Sequence, residues 1–154
     1  MKMLPIIAAI TISLPSAAQS SHISYFSSQQ VRQKLAAFAP KARTTGSSGT
    51  TLADYGSHAL KLSIRTKSGG VEEHAHFDDI FVVTQGKATL ITGGTIVDPQ
   101  DGPEGETKGK NIRNGKSQIL SVGDVVNIPA GTPHQLLIAP GTLYSSIVIK
   151  VKEQ

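Results

Sequence analysis

Five histidines are present in this chain, and three of them stand where they could share one metal ion: His74, His76 and His134. His74 and His76 are two residues apart in a segment, Val71 to His76, that reads as a strand. Side chains at i and i+2 of a strand point to the same face, so the two imidazoles can meet on one ion. Glu72 falls on that face too, and Glu73 on the opposite one. The third histidine follows Gly123 to Pro133 (GDVVNIPAGTP), which reads as a turn, a short apolar strand and a second tight turn. Glu72, inward and beside the pair, is the candidate for moving a proton in catalysis; a solvated strand-end charge is the competing reading. His22 and His58 have no such setting and read as structural or surface histidines.

The elements that must position these residues are short strands. From residue 52 the apolar pattern has period two, as in His58 to Arg65, where Leu60, Leu62 and Ile64 share a face. Further strand-like runs cover Val71–His76, Asp79–Thr84, Ala88–Thr92, Ser117–Ser121, Val125–Ile128, Gln135–Ile138 and Leu143–Val151, separated mostly by Gly, Pro or Asp. Many short strands with no helical period between them indicate an all-β sandwich or barrel. Ahead of them, Ser28 to Ala39 reads as a short N-terminal helix. Ser27 or Ser28 caps it, Val31, Leu35 and Phe38 share a face, and Pro40 ends it. Thr44 to Thr51 (TTGSSGTT) reads as a flexible connector. Asp98 to Asn111 (DPQDGPEGETKGKN) reads as an exposed hairpin loop, with a lid over the barrel mouth as the alternative. Phe81, Val83, Leu136 and Tyr144 fit either a pocket lining or a packed core.

These motifs resemble the cupins, small metal-binding jelly-roll barrels. The family's second motif runs Gly, five residues, Pro-x-Gly, two residues, His, three residues, Asn. Gly123, Pro129, Gly131 and His134 match it in spacing, with Ile138 in place of the closing Asn. Its first motif runs Gly, five residues, His-x-His, three or four residues, Glu, six residues, Gly. Here His74-Ala75-His76 supplies the histidines and Gly86 the close, while the opening glycine, Gly69 or Gly70, stands one or two residues short. Counting on from His76 reaches Ile80 or Phe81, which cannot bind a metal. Counting back six residues from Gly86 reaches Asp79. The resemblance therefore implies a shortened turn, with His74, His76, Asp79 and His134 as ligands and Asp78 as the alternative to Asp79. Three imidazoles and a carboxylate suit one divalent transition ion, Mn, Fe, Co, Ni, Cu or Zn. The resemblance covers about residues 58 to 151.

With 154 residues the chain is long enough for one domain with a real core. Hydrophobic residues make up 38% and charged residues 17%, a globular composition. The formal charge of +4 is mild and its basic residues are scattered, with no aromatic-laced basic stripe, so a nucleic-acid partner is not expected. There are no cysteines, which excludes disulfides, thiolate ligands and cysteine nucleophiles. Met1-Lys2-Met3, an uncharged apolar run from Leu4 to Leu14 and small residues up to Ala18 read as a signal peptide cut after Ala18. The apolar run is shorter than the roughly 20 residues of a membrane anchor. The expected organisation is 1–18 signal peptide, 19–51 lead-in and helix, and 52–154 barrel. The mature chain is expected to be secreted or periplasmic, without a membrane span, and to bind a small-molecule ligand or substrate, with a homodimer as the candidate assembly. The resemblance implies a metal-dependent dioxygenase, isomerase or lyase acting on a small oxygenated metabolite, or a non-catalytic binding barrel of the cell envelope.

Overall fold

The computed structural model describes residues 23–153. The expected signal peptide, its cut after Ala18, and His22 lie outside them. Among the described residues no helix is long and apolar enough to cross a membrane.

The helix α1 spans Ser28–Thr45, six residues past the expected end. Ser27 caps it: its hydroxyl accepts from the Gln30 amide at 3.2 Å, and the Gln30 side chain accepts from the Ser27 amide at 2.8 Å. Pro40 lies inside the helix rather than ending it. Proline removes the hydrogen bond to the carbonyl four residues back, here Ala36, but Ala36 and Pro40 are both exposed, so water can take that role. The helix continues because its last turn is buried. Ala42 is fully buried against the barrel, its carbonyl accepts from the Thr66 hydroxyl at 2.7 Å, and Gly46 closes the helix in the left-handed region.

Thirteen strands follow: β1 (Ser47–Asp54), β2 (His58–Arg65), β3 (Val71–His74), β4 (Phe77–Gln85), β5 (Lys87–Thr92), β6 (Thr95–Val97), β7 (Gln100–Asp101), β8 (Glu106–Gly109), β9 (Asn111–Arg113), β10 (Lys116–Ser121), β11 (Val125–Ile128), β12 (His134–Leu137) and β13 (Tyr144–Lys152). They form a five-stranded sheet ordered β1-β2-β13-β4-β11, a six-stranded sheet ordered β10-β5-β12-β3-β8-β7, and the small pair β6-β9. The two large sheets face each other as a jelly-roll barrel, so the fold class is all-β with one N-terminal helix.

The segment expected as a flexible connector is in fact part of a strand. Residues 47–51 belong to β1, which pairs with β2 from Ser47 opposite Arg65 to Asp54 opposite Ala59. An edge strand needs no apolar alternation to hold its place, because its hydrogen bonds to β2 do so. Residues 98–111 likewise do not hang as a free loop. They hold β7, a 3-10 turn at Pro103–Gly105 and β8, and β8 joins the sheet beside β3. β8 and β7 form one edge of the six-stranded sheet.

Two apolar clusters divide the interior. One lies beneath α1, where Val31, Leu35 and Ala42 meet Leu62 and Ile64. The other fills one end of the barrel with Phe81, Val83, Leu90, Leu120, Ile128, Leu136 and Tyr144. Burying each of the larger side chains contributes about 1.5–3 kcal/mol. Because β2 spends its apolar face on the helix, its other face (Lys61, Ser63, Arg65) is left for the barrel interior. The polar half of the lumen is thus a consequence of where the helix sits.

Candidate metal centre

Four side chains from three strands meet inside the lumen. Glu72 and His74 share a face of β3, and His134 opens β12 directly opposite Glu72. Asp79 reaches across from β4 in the other sheet. Its Oδ2 lies 3.3 Å from His74 Nε2 and 3.7 Å from His134 Nε2, and Glu72 Oε2 lies 3.9 Å from His74 Nε2. Glu72, His74 and His134 each offer a ligand atom, all within 4.8 Å of one another, a group that could hold a metal ion.

His76 is not brought into this group. β3 ends at His74, and Ala75 and His76 form the two-residue turn into β4, both exposed. The i, i+2 rule holds only while the chain stays extended, so the neighbour of His74 on the inward face is Glu72, two residues before it. His76 turns outward beside Gly105, whose carbonyl accepts from the Ala75 amide at 2.9 Å. This register also changes the spacing. Glu72-Glu73-His74, four residues, Asp79, six residues and Gly86 reproduces the first motif's spacing after its opening glycine, with no shortened turn, and Glu72 stands where the first histidine would be.

Asp79 and Asp78 separate by strand alternation. Asp79 shares the inward face of β4 with Phe81 and Val83, all three buried. Asp78 points the other way, and its Oδ1 accepts from the Ala130 amide at 2.8 Å. That bond ties β4 to the tight turn preceding His134. Asp79→Ala should weaken metal affinity by roughly tenfold or more in a competition titration, through loss of a charged ligand. Asp78→Ala should keep the metal and lower stability by about 1–2 kcal/mol, through one lost hydrogen bond at a part-buried site. The opposite pattern would make Asp78 the ligand.

The protonation states suit a cation. His134 Nδ1 lies 3.0 Å from the Thr132 carbonyl and donates to it, which leaves a lone pair on Nε2. That Nε2 is buried and has no hydrogen-bond partner among the described residues. Burial pushes His134 below its ordinary 6.5, outweighing the Thr132 bond and the nearby carboxylates, so the ring is neutral at pH 7. Burial alone would raise Asp79, but the His74 hydrogen bond and the Lys150 ammonium more than offset it and hold the carboxyl below 3.8. Lys150 Nζ lies 3.2 Å from Asp79 Oδ1.

His134 also sets a pH dependence. Its folded pKa is depressed, so the stability it contributes is present above 6.5 and is lost as pH falls through the folded value. Chelator-treated protein should therefore lose melting temperature as pH drops below 6.5, and His134→Gln should flatten that slope. An unchanged slope in the variant would assign the dependence elsewhere.

Sequence patterns did not single out two nearby groups. Glu106, opposite His74 in the β3–β8 register, places Oε1 4.0 Å from His74 Nδ1. Lys150 is in register with Asp79 across β13 and β4. Period-two alternation in β13 marks Lys150 as inward once Ser146 and Val148 are known to face the lumen. Nothing in the sequence marks Glu106, because β8 lies in a stretch without apolar alternation. Of the four residues left between pocket and core, Phe81 and Leu136 line the cavity beside the site, whereas Val83 and Tyr144 belong to the packed end.

Comparison with solved structures places the architecture. A Klebsiella pneumoniae protein with a double-stranded β-helix domain superposes with a TM-score of 0.53 at 12% identity, covering 71% of this chain and 80% of that one. An oxalate oxidase in complex with glycolate gives 0.52 at 15%, covering 71% and 52%. The chain has the cupin fold. Peruvianin-I, a cysteine peptidase from Thevetia peruviana latex, gives 0.51 at 11%, covering 71% and 63%. The chain spans about half the length of the oxalate oxidase and under two thirds of Peruvianin-I. A chain without a cysteine cannot share a cysteine peptidase's nucleophile, so the likeness is one of fold. No protein-family model matches the chain, and no curated protein matches it.

Proposed function

We propose that this chain is an exported, metal-dependent enzyme of dioxygenase, isomerase or lyase type that acts on a small oxygenated metabolite inside the barrel. The observation that carries the reading is the convergence of Glu72, His74, Asp79 and His134 around a buried, unpartnered imidazole nitrogen in a cavity of about 530 Å³. That volume is in the range of small-molecule sites. Two imidazoles and two carboxylates suit a divalent transition ion, and a bound ion of this kind supplies Lewis acidity or, if redox-active, electrons to oxygen.

The chain's own residues have separable tasks. His134 is held in orientation by the Thr132 carbonyl and offers a neutral nitrogen, and His74 places its Nε2 3.3 Å from Asp79. Asp79 is kept ionised by His74 and Lys150. Glu72 is the most open of the four, with its side chain 36% exposed against 9% or less for the others, so it can take a proton from a ligand in the cavity. Phe81 and Leu136 exclude water from one side. Export is supported by the Met1–Ala18 segment. A non-catalytic barrel is favoured by one feature: Glu72 stands among the ligand atoms, and Glu106, the carboxylate on the other side of His74, is paired with Lys108 at 3.1 Å.

The test is metal identification on untagged protein, followed by a turnover screen of small hydroxy and keto compounds with oxygen uptake recorded. Stoichiometric metal with turnover that Glu72→Gln abolishes even when the variant is saturated with metal supports the enzyme. Stoichiometric metal with ligand binding and no turnover supports the binding barrel. Protein that takes up no transition metal sinks both.

A further inference from the structure

We propose that the cavity takes an organic acid, and that Arg65 and Lys61 on β2 hold its carboxylate away from the metal-binding cluster. This deepens the reading of the site as a metal-dependent small-molecule centre and rests on it. Three cationic side chains line the cavity: Lys61, Arg65 and Lys150. Lys150 is committed to Asp79, but no carboxylate among the described residues comes within 4.0 Å of Lys61 or Arg65. A divalent ion would neutralise Glu72 and Asp79, leaving the ammonium and guanidinium groups as the uncompensated charge of the lumen. Such a cavity concentrates anions and rejects cations.

The backbone makes room for Arg65. A Cβ built on Gly69 would lie 2.8 Å from Arg65 Nη1, so the guanidinium occupies space that any side chain at position 69 would contest. Gly69 is itself fixed: its amide donates to the Leu136 carbonyl at 2.9 Å and its carbonyl accepts from the Gln135 side chain at 3.0 Å. Arg65 presents a planar fork suited to a carboxylate. The serine hydroxyl of Ser63, between Lys61 and Arg65 on the same face, lines the same wall and can donate to a ligand oxygen. An acid with an oxygen-bearing carbon chain would then present its oxygens to the Glu72–His74–Asp79–His134 end and its carboxylate to β2.

Isothermal titration calorimetry tests this on the full folded chain, metal-loaded and metal-free, with metal content measured on the same samples. The probes are tartrate and glucuronate, each against its uncharged amide, tartramide and glucuronamide. At least one acid should bind at least tenfold more tightly than its amide. Arg65→Gln should lose roughly tenfold of that affinity with metal content unchanged. Lys61→Gln, at an exposed position that disturbs no core, should lose severalfold. Gly69→Ala should weaken binding with every charge retained, by displacing the guanidinium. Equal affinity for acid and amide, unaltered binding in Arg65→Gln and Gly69→Ala, or no binding of either acid would overturn the proposal. Arg65-dependent acid binding in protein that holds no metal would sustain the anion site and remove the metal reading. Stoichiometric metal with Arg65-independent binding would do the reverse.

Discussion

Prepared without a histidine tag, the chain is expected to carry close to one transition-metal ion, and the His74→Ala, His134→Ala double variant close to none. The two imidazoles are the nitrogen ligands of the cluster, and a pair of carboxylates alone holds a transition ion weakly against water. The sharper comparison lies one step out. His76→Ala should leave metal content unchanged, because His76 is exposed in the turn between β3 and β4. Glu72→Gln should lower affinity by roughly tenfold or more, because Glu72 holds the inward position two residues before His74 and its charge offsets that of the ion. Elemental analysis and competition with a chromogenic chelator read both. Metal lost in His76→Ala and kept in Glu72→Gln would mean that β3 extends to residue 76 in solution and that the histidine pair binds together.

The difference between these outcomes shows what the sequence could convey. His134 was legible because its place depends on Gly123, Pro129 and Gly131, whose turn-forming chemistry is local and carried by residue type. Asp79 was legible because the motif's six-residue gap counts back to it from Gly86, and side-chain alternation along β4 is what puts Asp79 inward and Asp78 outward. The end of β3 was not legible. Ala75-His76 contains no glycine, proline or asparagine, so nothing marks the turn, and a glutamate at the first position looks like any strand-end charge. The jelly roll itself follows from period-two runs. Its polar edges do not. β1 begins with five Ser, Gly and Thr residues, and β8 is built of Glu, Thr, Lys and Gly; both are held by hydrogen bonds to a neighbour, which leave no trace in hydropathy. Pro40 misled for a related reason, since the burial of Ala42 that extends the helix depends on β2, a partner distant in sequence.

The motif glycines separate by what surrounds them, and Gly86→Val should be the most destabilising single change among Gly86, Gly123 and Gly131. All three have positive φ, at 73°, 92° and 70°. A residue with a Cβ in that region costs about 1–2 kcal/mol on conformation alone. At Gly123 and Gly131 a Cβ would meet nothing within 4 Å, so alanine there should cost only that amount. At Gly86 the Cβ would drive into the Leu143 carbonyl oxygen and the Tyr144 backbone. That backbone is the start of β13, and Tyr144 is fully buried in the barrel core, so it cannot give way as a side chain could. Gly86→Val should therefore cost on the order of 3–4 kcal/mol and lower the melting temperature by about 10 °C or more, against about 4 °C for Gly131→Ala. Because Asp79 and Gly86 share β4 and its turn, the shift in β13 would also be felt at Lys150 and hence at Asp79. Metal affinity in Gly86→Val, measured well below its melting temperature, should then fall more than in Gly131→Ala, although Gly131 is nearer His134 in sequence. Equal losses in the two variants would show that the turn before His134, and not the β4–β13 register, sets the geometry of the centre.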